Sequence, residues 1–139
     1  MPPAAPASRP RRWLPPLILL LGGACFVLIW VLLALYLGKQ AGWMALLGAV
    51  DVALVLRLAG MRPGPPRVIA AAAATALIVA LAHWFIAASQ VGMVLGLNPW
   101  ESALKLGAHH AWTLITLANG GIDWICLLLS LPLAAWLSR

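Results

Sequence analysis

Two aspartates stand where carboxylates are seldom tolerated. Asp51 lies in Gly48-Ala49-Val50-Asp51-Val52 and Asp123 in Gly121-Ile122-Asp123-Trp124, both inside long apolar runs. A charged Asp at the centre of a bilayer costs about 2.5–3.5 kcal/mol on insertion scales, so each acid must face other helices, pair with a donor or stay protonated. Both fall about halfway along runs that cross in the same direction, which puts them at similar depth. His83 is the third ionisable group inside an apolar run, about 6 Å towards the outer face from that run's midpoint. Asn119 and Gly120-Gly121 interrupt the last run one turn before Asp123. A helix opened there offers free carbonyls or amides at membrane depth, as discontinuous transporter helices do. Asp51, Asp123, Asn119 and His83 therefore form the expected polar cluster. Its chemistry is either relay of protons or binding of a small cation, or hydrogen bonding that glues helices together. Lys and Arg are absent at that depth, which favours gluing: a partner must be neutral, a histidine, or on another protein.

Other combinations are weaker. His109 and His110 sit near the outer interface about two turns after Glu101, but a metal site needs at least three converging ligands and adjacent helical residues point about 100° apart. A haem held between His83 and His109 or His110 needs axial ligands at one depth, and these differ by about 10 Å or more. Cys25 and Cys126 lie in apolar runs and read as small buried hydrophobes. A phosphate-cradling glycine loop, a nucleophile with its base, and a paired acidic motif in a polar loop are all missing. The expectation is a protein that is not an enzyme and has no metal or cofactor.

The elements that position these residues follow from composition. Of 139 residues, 64% are hydrophobic and 9% charged, against about half and a quarter in soluble domains. A chain this small cannot bury that much apolar surface in water, whereas lipid accepts it. The fold expected is all-α: a membrane bundle of four transmembrane helices with a short interfacial helix before the last span.

Residues 1–12 are Pro- and Ala-rich, carry Arg9, Arg11 and Arg12, and read as a disordered basic tail. Residues 13–139 read as one transmembrane domain with spans at about 14–37, 41–59, 68–91 and 111–136. The first run is too long for a signal-peptide core and lacks a clear cleavage site. Asn98-Pro99-Trp100-Glu101 is a helix start, with Asn98 as cap, Pro99 in the first position and Glu101 in a capping box. It opens an interfacial helix to about Leu106 that turns Trp100 and Leu104 to lipid. Trp13, Tyr36, Trp43, Trp100 and Trp136 are the interfacial anchors. Small residues at four-residue spacing, Gly38 with Gly42, Ala41-Ala45-Ala49-Ala53 and Ala72-Ala76-Ala80, mark stripes for close helix packing.

Orientation comes from the basic residues. Arg9, Arg11, Arg12, Arg57, Arg62, Arg67 and Arg139 fall on one side and only Lys39 and Lys105 on the other. The basic side is cytoplasmic, so both termini face the cytoplasm, and Arg9, Arg11, Arg12, Arg57, Arg62 and Arg67 meet anionic headgroups. This accounts for the net charge of +6 without nucleic acid, for which a polar basic face is missing. The Ala, Leu, Pro and Arg bias suggests a bacterial inner membrane. The leading functional expectation is a non-enzymatic small subunit that stabilises or regulates a larger membrane complex, with lipids and other subunits or itself as partners. The alternative is a small homo-oligomeric proton- or cation-conducting transporter or channel that uses Asp51 and Asp123.

Overall fold

The computed structural model describes residues 12–139; Arg9, Arg11 and the rest of the expected tail to residue 11 lie outside the described residues. Every regular element among the described residues is a helix: α1 Leu14–Leu37, α2 Met44–Leu58, α3 Pro65–Leu95, α4 Pro99–Lys105, α5 Ala108–Ala118 and α6 Gly121–Leu137. α1 and α3 are long and apolar enough to cross a membrane, and α5 and α6 make a third candidate if taken together. The expected span 111–136 is not one helix, because α5 and α6 meet at a bend of 113°. Their axes are thus nearer to perpendicular than to collinear. The 41–59 run gives a helix of 15 residues, about 22 Å long against a hydrocarbon core of about 30 Å. Two tall helices, α1 and α3, therefore pack with two short ones, α2 and α6, and α3, with 31 residues, reaches about 46 Å.

Local sequence explains the ends. Prolines occupy the first turns of α1, α3 and α4, where their missing N–H has no helical acceptor to lose. Gly38 closes α1 with a φ of 64°. In that left-handed conformation its N–H donates to the Leu35 carbonyl and the Lys39 N–H donates to that of Ala34, so two terminal carbonyls are satisfied. Gly38 is a helix stop, not half of a packing pair. Asn98 does precede α4, but its side chain makes no capping bond. Half of such a box forms instead at α6, where the Asp123 carboxylate accepts from the Gly120 N–H and Gly120 has no side chain to complete it.

α1, α2, α3 and α6 alternate in direction, and α6 packs against both α2 and α3. The core is small and apolar: Ala45, Ala49, Val52 and Leu56 of α2 meet Ala71, Ile78, Ala82 and Ile86 of α3 and Trp30 of α1. Glycine lets α1 approach both neighbours, with Gly22 on Val55, Gly48 on Phe26 and Gly23 on Ile78. The α2 stripe is buried as expected, at Ala41, Ala45, Ala49 and Ala53. The α3 stripe is not: Ala76 and Ala80 are exposed and Ala72 half-buried, because the inward face runs through Ala71, Thr75, Ile78 and Ala82, one residue earlier. Cys25 is likewise exposed and Cys126 half-buried, so neither fills the core. Trp13, Tyr36, Trp43, Trp100 and Trp136 are all exposed at or beside helix ends. Trp100 and Leu104 turn outward from α4, which folds back on α3 so that the Trp84 indole donates to the Ala103 carbonyl.

One basic residue departs from the expected headgroup role. Arg67 is 4% exposed. Its Nε donates to the Ser138 carbonyl at 2.6 Å, Nη2 to that of Arg139 at 2.7 Å and Nη1 to that of Met61 at 3.3 Å. Arg57 adds a bond to the Leu137 carbonyl at 2.8 Å from an exposed position. The end of α6 has carbonyls without helical partners and the negative pole of the helix dipole, and two guanidinium groups satisfy both. Arg12 and Arg62 are exposed. Arg67→Met is expected to cost about 3 kcal/mol in thermal or denaturant melts in mild detergent, since it strands carbonyls bound by a charged donor, whereas Arg57→Met is expected to cost below about 1 kcal/mol. Equal melting of the two variants contradicts this account.

Candidate functional site

α2 and α6 start beside one another, and Asp123 joins them. Its Oδ1 accepts from the Gly42 N–H at 2.9 Å and its Oδ2 from the Gly120 N–H at 3.0 Å. One carboxylate thus sits at the N-terminal ends of two helices, where free amides and positive dipole ends favour an anion. The approach is close enough to require glycine: a Cβ on Gly42 would lie 2.6 Å from the Asp123 Cβ and 2.7 Å from its Cα. The preceding residue, Ala41, is held at a φ of 51°, a left-handed conformation that costs an L-residue about 1 kcal/mol. The chain accepts that strain to aim the Gly42 amide at the acid.

The chain reaches this point by re-entering the bundle. Trp30 is fully buried on α1, seven residues before its end, so about 10 Å below it. Its Nε1 nevertheless donates to the Gln40 carbonyl at 3.0 Å. The segment after Gly38 therefore dips inward, and Gln40 is 2% exposed, although its sequence position reads as a surface turn. The Trp30 ring also contacts the His83 imidazole edge-on, with centroids 5.4 Å apart. His83 Nδ1 lies 2.8 Å from the Val79 carbonyl, the Asn119 side chain is within hydrogen-bonding reach of the ring, and Asp123 lies near enough to act on it electrostatically. His83, Asn119 and Asp123 are thus brought together around the bend between α5 and α6. Gln40 and Trp30 belong to the same region and were missed from sequence; a Gln directly after a helix-ending glycine carries no signal of burial.

This region is under-satisfied. Both amide atoms of Gln40 are buried without a hydrogen-bond partner among the described residues, while the equally enclosed Asn119 amide and His83 ring interact with one another. Such groups are uncommon in native interiors.

Asp51 does not join the cluster. It lies nine residues beyond Gly42, about 13 Å further along α2, so the two acids are at different depths. Around the helix it falls between the exposed Leu47, Val50 and Leu54 and the residues Gly48 and Val55 that touch α1. It is partly exposed, and its Oδ2 is buried without a partner. His109 and His110 sit in α5 with ring centroids 6.4 Å apart, both exposed. No group of three His, Cys, Asp or Glu that could hold a metal occurs among the described residues.

The double cap at Asp123 makes a direct prediction. Asp123→Ala leaves two amides without an acceptor and is expected to cost about 3 kcal/mol in detergent melts, at about 1–3 kcal/mol for each stranded group. Asp123→Asn keeps one acceptor oxygen and is expected to cost about half as much. Gly42→Ala must push the two helix starts apart, a strain of about 1–3 kcal/mol. Wild-type melting in Asp123→Ala rules out the bridge. No family model, curated protein or solved structure matches this chain.

Proposed function

We propose that the chain is a non-enzymatic inner-membrane protein that acts as a small subunit, stabilising or regulating a larger membrane complex. It crosses four times, with both termini cytoplasmic. The short helices suit this: α6, with 17 residues, lies at the lower end of spanning length, and α2 is accommodated by thinning of the bilayer and by its flanking Trp43 and Arg57. The basic residues support the orientation, since Arg57, Arg67 and Arg139 gather at one end of the bundle and Lys39 and Lys105 lie towards the other. The Ala-, Leu- and Arg-rich composition supports a bacterial source.

The observation that carries the subunit reading is Asp51. Mid-helix and partly exposed at the margin of the lipid-facing surface, its carboxyl group makes no hydrogen bond among the described residues. A carboxylate or carboxyl group there is stabilised by a donor from a neighbouring polypeptide, and intramembrane acids characteristically mark such contacts. An open cleft of about 780 Å³ between α1 and α3, floored by Gly23, Ala24, Ala70 and Ala74, adds a surface on which another transmembrane helix can approach closely. A proton- or cation-conducting pathway through Asp51 and Asp123 has less support, because Asp123 is engaged by two backbone amides and Asp51 lies about 13 Å away along the axis.

Native mass analysis after mild-detergent extraction tests this. The wild-type chain is expected to travel with at least one different membrane polypeptide. Asp51→Leu is expected to lose that partner by about ten-fold in yield while melting like the wild type; Asp51→Asn, which keeps an acceptor and gains a donor, loses less. A wild-type chain that travels alone overturns the subunit reading. A pure homo-oligomer whose cation flux in liposomes collapses in Asp51→Asn replaces it with the transporter.

A further inference from the structure

The seam between α1 and α2 has one buried side and one side towards lipid. Ala45, Ala49, Val52 and Leu56 of α2 lie on the buried side. Two close approaches, Gly22 on Val55 and Gly48 on Phe26, bracket Cys25 on α1 and Asp51 on α2. Cys25 is exposed and Asp51 partly so, which puts both on the lipid side at one depth. Leu21 and Ile29 of α1 and Leu47 and Leu54 of α2 are exposed around them. The result is an apolar face interrupted by one carboxyl group.

Neither the chain nor the lipid supplies a cation there. Asp51 is at the centre of α2, a helix of 15 residues, so about 10 Å from either end. An amine among the lipid headgroups is at least that far away. Arg57 lies about 9 Å further along the helix and is bonded to the Leu137 carbonyl. The Asp51 carboxyl group makes no hydrogen bond among the described residues. A neutral donor on another helix recovers only part of what an aspartate costs at mid-bilayer, because polar contacts between membrane helices are weak. A Lys or Arg at that depth is itself costly alone, and pairing it with Asp51 relieves both. Such a pair forms only when the two chains meet, so it also selects the partner.

Resting on the subunit reading above, we propose that the lipid side of the α1–α2 seam docks a transmembrane helix carrying one lysine or arginine at mid-bilayer, with its cation on Asp51 and its flank against Cys25.

The test uses the full chain, labelled at its N-terminus, in phosphatidylcholine vesicles. The probe is a synthetic Leu-Ala helix of about 21 residues with lysine at its centre. Two control helices carry glutamine at the centre, or lysine about seven residues nearer one end and so about 10 Å off in depth. Association is read as energy transfer between chain and probe under lipid dilution. The central-lysine helix is expected to associate about ten-fold more tightly than either control, the lower end of the coupling between close ion pairs. Asp51→Asn is expected to level the three while melting like the wild type, and Asp51→Glu to keep the preference. Cys25→Trp, which obstructs the face, is expected to abolish it, whereas Ala74→Leu in the α1–α3 cleft leaves it intact. Equal association of the three probes, or a preference that survives Asp51→Asn, overturns the proposal. A preference lost in Ala74→Leu and kept in Cys25→Trp puts the helix in the cleft and also overturns it. These failures leave the subunit reading standing, because that reading falls only when the native chain travels without another polypeptide.

Discussion

The carboxylate of Asp123 is the fixed point of the architecture. Hydrocarbon offers no water to a broken helix, so each free backbone amide needs an acceptor from the protein or costs several kcal/mol. The chain starts two short helices at one level, and the amides of Gly42 and Gly120 both find their acceptor on this one side chain. The contact requires glycine at position 42, draws Ala41 into a left-handed conformation and sets where α6 begins. Since α6 packs against α2 and α3, the acid also fixes the register of the central helices.

The opposite end of α6 obeys the same electrostatics with reversed sign. Arg57 and Arg67 donate to the carbonyls of Leu137, Ser138 and Arg139, so the helix has an anion at its positive pole and cations at its negative one. Arg67 comes from the start of α3 and Asp123 reaches the start of α2, so each charge ties α6 to a different helix. A helix with Pro132 in its interior forgoes one backbone bond, and this clamping at both ends compensates for it.

The sequence made the long elements legible and the short-range geometry opaque. α1 begins and ends as its apolar run does, because prolines and a glycine mark both limits. The interfacial helix was likewise readable from Asn98-Pro99, although the capping bond it implied forms elsewhere. The α3 face was misread by one residue: Ala70 to Ala74 are all alanine, so periodicity there has no contrast to show which stripe turns inward. Arg67 looked like a headgroup arginine because its burial depends on where a helix more than sixty residues later ends. Gln40 and Trp30 were invisible as site residues for the same reason, since the loop's return into the bundle is set by contacts distant in sequence. The interruption at Asn119-Gly120-Gly121 was visible as a break, but its 113° angle was not.

That angle separates the polar groups into different kinds of work. A collinear α5 and α6 would have carried Asp123 to mid-depth beside Asp51, the pair a relay requires. With the bend, Asp123 rises to the helix starts and is consumed by structure, and His83 is left beside a cavity that the splayed helices open. Asp51 remains alone on the flank of α2. A carboxyl group held by two amides is poorly placed to pass a proton, because losing either bond exposes a backbone group that the membrane cannot solvate. The bend thus leaves Asp51, partly exposed on the flank of α2, and His83, enclosed beside Asn119, outside the bridge that Asp123 makes.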